Sequence, residues 1–141
     1  MPITVPCADG LARATTAVRS QLAITIPQTS DLLGYSATAC YRAAGDLFPV
    51  IQIGRSRRVP SRAIREILGI DDPPRIEGAA ADALSALLAA PTISVDQYAT
   101  LYGVHRLTAY EHLRASSTAI RVGRRTRVPS AHVIRELCIE N

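Results

Sequence analysis

The sequence predicts a mainly α-helical chain with small β-hairpins, an α+β fold organised as two tandem units. Three observations carry this expectation. First, Ile51-Gln52-Ile53-Gly54-Arg55-Ser56-Arg57-Arg58-Val59-Pro60-Ser61 recurs as Ile120-Arg121-Val122-Gly123-Arg124-Arg125-Thr126-Arg127-Val128-Pro129-Ser130, at an offset of 69 positions (123 − 54). The register extends backwards without a gap, so Ile24, Gln28, Leu32, Gly34 and Tyr41 fall on Ile93, Gln97, Leu101, Gly103 and Tyr110. Second, each copy reads locally as a helix, a glycine turn and a second helix. Third, each copy continues into two short strands around a Gly-Arg turn. Ungapped identities at one offset mark an internal duplication, dividing the chain into residues 1–70 and 71–141. Units of about 70 residues fold only marginally when alone, so docking between them is expected to help.

Taken in order, residues 1–9 are expected to form a loose arm. Leu11, Ala14, Val18 and Leu22 lie along one helical face, predicting a short amphipathic helix over about 10–22. Its counterpart is the alanine-rich stretch from Gly78 to Ala90, with Ala80, Ala83 and Leu87 on one face. Thr25-Ile26-Pro27-Gln28 and Ser94-Val95-Asp96-Gln97 have the form of capping boxes that open a helix. Pro27 and Asp96 each suit a first helical turn. These helices should run to Leu33 and Tyr102 and stop at Gly34 and Gly103. A second helix follows, from about Ser36 or His105 to Ala44 or Arg114. Tyr35, Cys40 and Ala44, and in the second unit Val104, Ala109 and Leu113, are expected to face the core. The strands are Val50 to Ile53 and Ala119 to Val122, returning through Arg58-Val59 and Arg127-Val128. Pro60 and Pro129 end the return strands, and Ser61 and Ser130 are expected to cap a last helix over about 62–69 and 131–139. Ile64 and Leu68, or Val133 and Leu137, give that helix its apolar face. Between the units, Asp71-Asp72-Pro73-Pro74-Arg75 reads as a stiff connector.

Composition narrows the function. A hydrophobic fraction of 48%, a charged fraction of 20% and a mean hydropathy of +0.12 are those of a globular protein. No apolar run approaches the ~18–20 residues needed to span a bilayer. The opening residues, Met1 to Pro6, lack the charged-then-apolar pattern of a signal peptide. A cytoplasmic protein without membrane contact is expected. The net charge is +4, and all 16 basic residues are arginine. That usage fits recognition of phosphate and guanine by planar bidentate groups, or simply a high-GC genome, but the genome does not explain the clustering in the two hairpins. Cys7, Cys40 and Cys138 are far apart and form no metal-ligand spacing, so reduced thiols are expected, Cys40 and Cys138 on core faces. His105, His112 and His132 have no carboxylate or cysteine partners at metal or triad spacing, and neither a phosphate-cradling glycine loop nor G-x-S-x-G occurs. No catalytic residue, metal or cofactor is expected.

The ordered set of residues resembles the winged helix-turn-helix domains of phage and plasmid excisionases and the DNA-binding heads of MerR-type regulators. Unit 1 carries Thr25, Gln28, Leu33-Gly34-Tyr35-Ser36, Tyr41-Arg42, Gly45-Asp46-Leu47, Pro49, Gly54-Arg55 and Arg58-Val59-Pro60-Ser61 of that pattern. Unit 2 carries Gln97, Ala99, Tyr102-Gly103-Val104, Arg106, Thr108, Tyr110, Gly123-Arg124 and Arg127-Val128-Pro129-Ser130. It departs at His105, where the pattern has Ser, and over Arg114 to Thr118, which lacks the Gly and Pro of unit 1. A longer recognition helix or a differently set wing is expected there.

The resemblance implies two tandem winged helix-turn-helix domains that bind double-stranded DNA, each second helix lying in a major groove. Ala37, Thr38, Tyr41 and Arg42, and Arg106, Leu107, Tyr110, Glu111 and Arg114, would face the bases. Arg42 and Arg106 suit guanine, while Ala37, Thr38 and Leu107 suit a thymine methyl. Glu111 suits either a cytosine amino group or an ion pair with Arg114. The wing arginines Arg55, Arg57, Arg58, Arg124, Arg125 and Arg127 would reach phosphates or a narrow minor groove. Tyr41 and Tyr110 are open to two roles, packing on the wing or placing a phenol near the backbone. Two heads joined head to tail predict a monomer on an asymmetric or direct-repeat site, with contacts one helical turn of ~34 Å apart. The expected role is a phage or plasmid-type regulator, either a recombination directionality factor with an integrase as partner or a transcriptional regulator. A protein-interaction adaptor and a phage DNA-packaging subunit are the rival uses of such a fold.

Overall fold

The computed structural model describes residues 8–139. Of the arm expected over residues 1–9, only 8 and 9 fall within it, already helical, and Cys7 lies outside the described residues. Unit 1 contains α1 (Ala8–Ser20), β1 (Ala23–Ile24), α2 (Ile26–Leu33), α3 (Ala37–Ala43), β2 (Ile51–Ile53), β3 (Ser56–Pro60) and α4 (Ser61–Leu68). Unit 2 repeats the order with α5 (Gly78–Ala89), β4 (Thr92–Ser94), α6 (Val95–Tyr102), α7 (Arg106–Ala115), β5 (Ile120–Val122), β6 (Arg125–Pro129) and α8 (Ser130–Glu136). The fold is mixed α+β, with two antiparallel three-stranded sheets ordered β1-β3-β2 and β4-β6-β5. No described helix is long and apolar enough to cross a membrane.

The outer strands β1 and β4 have no signal of their own in the sequence. Two or three residues are too few to show alternation; pairing with the return strand, Ile24 opposite Val59 and Ile93 opposite Val128, makes them strands. Both capping boxes form, with Thr25 and Ser94 accepting from the Gln28 and Gln97 amides. Gly34 and Gly103 end their helices in the left-handed conformation.

α7 is longer than α3, as the departure in unit 2 suggested. Gly45 turns the chain at φ +91, a conformation costly for a side-chain-bearing residue, whereas its counterpart Arg114 continues the helix. The expected caps at Ser61 and Ser130 are corrected. Both serines are the first helical residues, and neither caps. Their amides instead donate to the Leu22 and Pro91 carbonyls, tying each last helix to the chain entering the outer strand. Ser130 Oγ adds a bond to the Ala90 carbonyl, while the buried Ser61 Oγ has no partner among the described residues.

Unit 1 packs Ala17, Val18, Ile24, Ile26, Cys40, Phe48, Val59 and Ile64 into one cluster. The buried Arg65 is hydrogen bonded to the Val18 carbonyl, joining α4 to α1. Leu11 and Leu68, expected on the apolar faces of α1 and α4, are exposed, and two of the expected core residues are corrected as well. Tyr35 is 59% exposed, because it follows the left-handed Gly34 and precedes the Ser36 cap, outside either helix. Cys138 is only partly buried, in the turn after α8.

The second cluster crosses the duplication. Leu22, Ala23, Ile51 and Ile53 of unit 1 are buried with Ile93, Leu101, Tyr102, Ala109, Leu113 and Val128 of unit 2. Hairpin β2–β3 therefore lies against the α6–α7 turn. Arg58 donates from Nε to the Tyr102 carbonyl (3.0 Å) and from Nη2 to the Gly103 carbonyl (2.8 Å). At the hairpin tip the Gly54 amide donates to His112 Nδ1 (3.4 Å), and a side chain on Gly54 would lie 3.5 Å from Thr108. The connector is pinned as well, since the Arg75 amide donates to the Arg19 carbonyl.

Arg58 and Arg127 hold equivalent positions, but only Arg58 joins the units, because Arg127 turns onto Thr92 of its own unit. Arg58→Ala should cost about 1–3 kcal/mol in urea unfolding, and Arg127→Ala less than about 0.5 kcal/mol.

The core of unit 2 stacks Tyr98 and Tyr102 at 4.3 Å between ring centroids, with the Tyr102 hydroxyl donating to Glu136. Burial first, and then the Glu136 charge, raise both tyrosines above their ordinary 10.0, while burial raises Cys40 above 9.0. Folded pKa values above the unfolded ones mean stability that is complete below the unfolded values and lost as pH rises beyond them. Stability should decline above pH 9.0 and more steeply above 10.0. Each tyrosine contributes a slope of at most about 1.4 kcal/mol per pH unit. Urea titrations across alkaline pH should show that slope reduced in Tyr98→Phe.

Candidate nucleic-acid interface

Each unit has an open cleft of the same construction, where the start of one helix, the tyrosine of the next and the hairpin arginines meet. In unit 1 the cleft is about 550 Å³ and is lined by Thr25, Pro27, Tyr41, Arg55, Ser56 and Arg57. In unit 2 it is about 540 Å³ and is lined by Ser94, Asp96, Arg106, Tyr110, Arg124 and Arg125. The capping box orients the helix start, the return strand fixes the hairpin, and the glycine turn sets the angle between the helices. Positive partial charge at a helix N-terminus and a fan of guanidinium groups make such a cleft suited to an anion.

The copies differ inside these clefts. Arg57 lies over the Tyr41 ring at 5.3 Å, joining hairpin to helix. Thr126 stands at the Arg57 position, and Tyr110 instead has Arg114, from its own helix, at 6.0 Å. Tyr41 thus meets the hairpin of its own unit, one of its two expected roles, whereas Tyr110 meets an arginine of its own helix; both residues remain exposed. Unit 2 also has an acid where unit 1 has Pro27. Asp96 pairs with Arg106 at 2.7 Å, with both side chains mostly exposed. The pair itself contributes little stability, but it cancels charge at the mouth of the cleft and draws Arg106 back toward α6. The sequence displayed Asp96, and its value as a first-turn residue concealed this second partner.

The exposed faces beside the clefts carry most of the expected contact residues. Ala37, Thr38, Tyr41 and Arg42 on α3 are exposed, as are Arg106, Leu107, Tyr110, Glu111 and Arg114 on α7. Glu111 makes no ion pair with Arg114 among the described residues. Among the hairpin residues Arg55, Arg57, Arg124, Arg125 and Arg127 are exposed. Arg58 is partly buried and also lines the unit 1 cleft, and its guanidinium at the same time makes the joint between units. Thr108 and His112 were missed; one helical turn apart, they receive the hairpin tip of unit 1. Nothing local in the sequence distinguishes that face from a solvated one.

His105 replaces the serine cap without losing it, since its Nδ1 accepts from the Leu107 amide as Ser36 Oγ accepts from the Ala39 amide. A further cavity of about 440 Å³ lies at the junction of the units, among Leu22, Leu84, Leu88 and Leu137. Arg62 at its edge is engaged by Glu66 and the Cys138 carbonyl. No group of three or more His, Cys, Asp or Glu residues able to hold a metal occurs among the described residues.

Charge in the clefts is measurable on a generic polyanion. Asp96→Asn should raise the salt needed to elute the protein from heparin, and Arg57→Ala should lower it; equal elution of both would show that the clefts do not govern anion binding.

No protein-family model, curated protein or solved structure matches the chain.

Proposed function

We propose that the chain is a non-enzymatic, sequence-specific binder of double-stranded DNA, built from two tandem winged helix-turn-helix heads. α3 and α7 are the reading helices, and the hairpins are the wings. The observation that carries this reading is the pair of equivalent arginine–tyrosine clefts, each beside an exposed second helix. A cleft of that kind suits a backbone phosphate, while the second helix beside it addresses base edges. A regulator of the phage or plasmid type, in recombination beside an integrase or in transcription, is the class that fits.

Docking of the first wing on the second head changes how the two heads cooperate. Their spacing is held by the joint at Ile51, Ile53 and Arg58 as well as by the connector. A pre-set spacing favours one asymmetric site over two independent half-sites, because less orientational freedom is lost on binding. The reading surfaces also differ, with Ala37 and Arg42 of α3 standing where α7 has Arg106 and Glu111. The half-sites should therefore differ.

Affinity for duplex DNA should fall steeply with salt. Arg55→Ala and Arg124→Ala should weaken binding to all sequences and each reduce the log–log salt slope by about 1. Arg42→Ala should cost about 1–3 kcal/mol on the preferred site and relax the preference at one base pair. Fluorescence anisotropy with a selected site and a scrambled duplex measures both. A shallow salt slope that neither wing variant changes would refute the proposal. Point variants are the proper probe, because cutting the chain at residue 70 would expose Leu22, Ile51 and Ile53, which are buried against unit 2.

A further inference from the structure

We propose that the chain associates with copies of itself head to tail, the β5–β6 hairpin of one molecule docking on the α2–α3 turn of the next. The joint within the chain is the template. There, hairpin β2–β3 covers the α6–α7 turn, burying Ile51 to 6% and Ile53 to 0% exposure. Duplication gives every chain a second hairpin and a second helix pair of the same construction, and neither is covered by another described element.

On the hairpin side, Ile120 and Val122 occupy the Ile51 and Ile53 positions, in the same register with their return strand. They are 44% and 72% exposed. Two residues apart on one strand, they project from one face and form an apolar pair without cover among the described residues, Val122 at the edge of the unit 2 cleft. On the receiving side, Leu32 and Tyr35 stand where unit 2 has Leu101 and Val104. Leu101 is 3% exposed and Val104 partly buried, whereas Leu32 is only partly buried and Tyr35 exposed. Gly34 and Gly103 share the left-handed conformation, at φ 75 and 66, so the Leu33 and Gly34 carbonyls are presented as the Arg58-bound carbonyls of unit 2 are.

The copies are not identical, and the differences bear on strength. Ala39 and Ala43 stand where Thr108 and His112 meet the hairpin tip, so the receiving face is more apolar and lacks the Gly54–His112 bond. Arg127 is held by Thr92, whose counterpart is Ala23. Apolar contact therefore carries the association, and it is weaker than the joint inside the chain. One hairpin face and one receiving face on each molecule make the contact heterologous, so the assembly grows open-ended. Because the joint inside the chain forms at an effective concentration of order mM, the test extends to about 1 mM protein.

The full chain is examined by sedimentation equilibrium without DNA, which separates this proposal from the DNA-binding reading. The expected result is an average mass that rises with concentration past that of two chains, from the 15.1 kDa monomer. Val122→Asp removes the hairpin face and Tyr35→Asp the receiving face. Both positions are exposed, so circular dichroism and thermal melting should match the parent protein. Each variant alone should lose association at least tenfold, while an equimolar mixture should form pairs and stop there. A constant monomer mass up to about 1 mM would overturn the proposal. So would a dimer abolished by Val122→Asp and not restored by mixing, which marks a symmetric contact.

Discussion

The joint between the first hairpin and the second helix pair is the constraint on which the rest of the structure depends. Each unit is near the lower size for a stable core, and the cluster around Ile51 and Ile53 removes that limitation by letting unit 1 contribute to the core of unit 2. The Arg58 guanidinium adds direction to this apolar contact. Its planar fork meets two successive carbonyls at the left-handed turn after α6, an arrangement a point charge on a flexible stem would not specify as well. Hydrophobic burial holds the units together, and the arginine sets the angle between them.

Duplication followed by divergence explains how one motif comes to serve two purposes. The Gly-Arg and Arg-Val-Pro-Ser residues recur, yet Arg58 bridges units where Arg127 remains within its own. A single exchange, Ala23 for Thr92, supplies Arg127 with a local partner that Arg58 lacks. Similar small changes retune the clefts. Asp96 for Pro27 and Thr126 for Arg57 take positive charge from the second cleft, while Arg106 for Ala37 and Arg125 for Ser56 return it, so the charge is rearranged rather than lost. Gly45 against Arg114 sets the lengths of α3 and α7. Within the proposed function, this yields a shared grip on phosphate with different base readout, on heads whose spacing is held by a packed joint.

Much of the fold was legible because its signals are local. Capping boxes at Thr25 and Ser94, left-handed glycines at 34 and 103, and Pro-Ser starts after each hairpin act within a few residues of themselves. The strands β1 and β4 were not legible, because a two- or three-residue segment becomes a strand only through a partner some 35 residues away, as Ile24 does opposite Val59. Ser61 misled for a related reason, its position favouring a cap while its amide bonds the Leu22 carbonyl. Tyr35 lies in the turn between α2 and α3, where helical periodicity says nothing about which way a side chain faces. Of the candidate site, the exposed faces of α3 and α7 and the hairpin tips follow from amphipathic spacing. The Asp96–Arg106 pair does not, since ten residues and a turn separate its partners.

By itself the sequence determined the duplication, the order of helices and hairpin in each unit, the starts and stops of α2 and α6, and the concentration of arginine at two hairpin tips. These follow from short-range propensity, hydrogen-bond capping and one ungapped alignment. Only the tertiary structure decided which of two equivalent hairpins is buried and which is open. It likewise decided that Arg58 is a structural joint while Arg127 is exposed, and that Thr108 and His112 receive a neighbour. The physical reason is that identical local segments in a tandem repeat have non-identical surroundings. The first copy has a unit following it and the second copy has none within residues 8–139, so the same residues meet protein in one copy and an open face in the other.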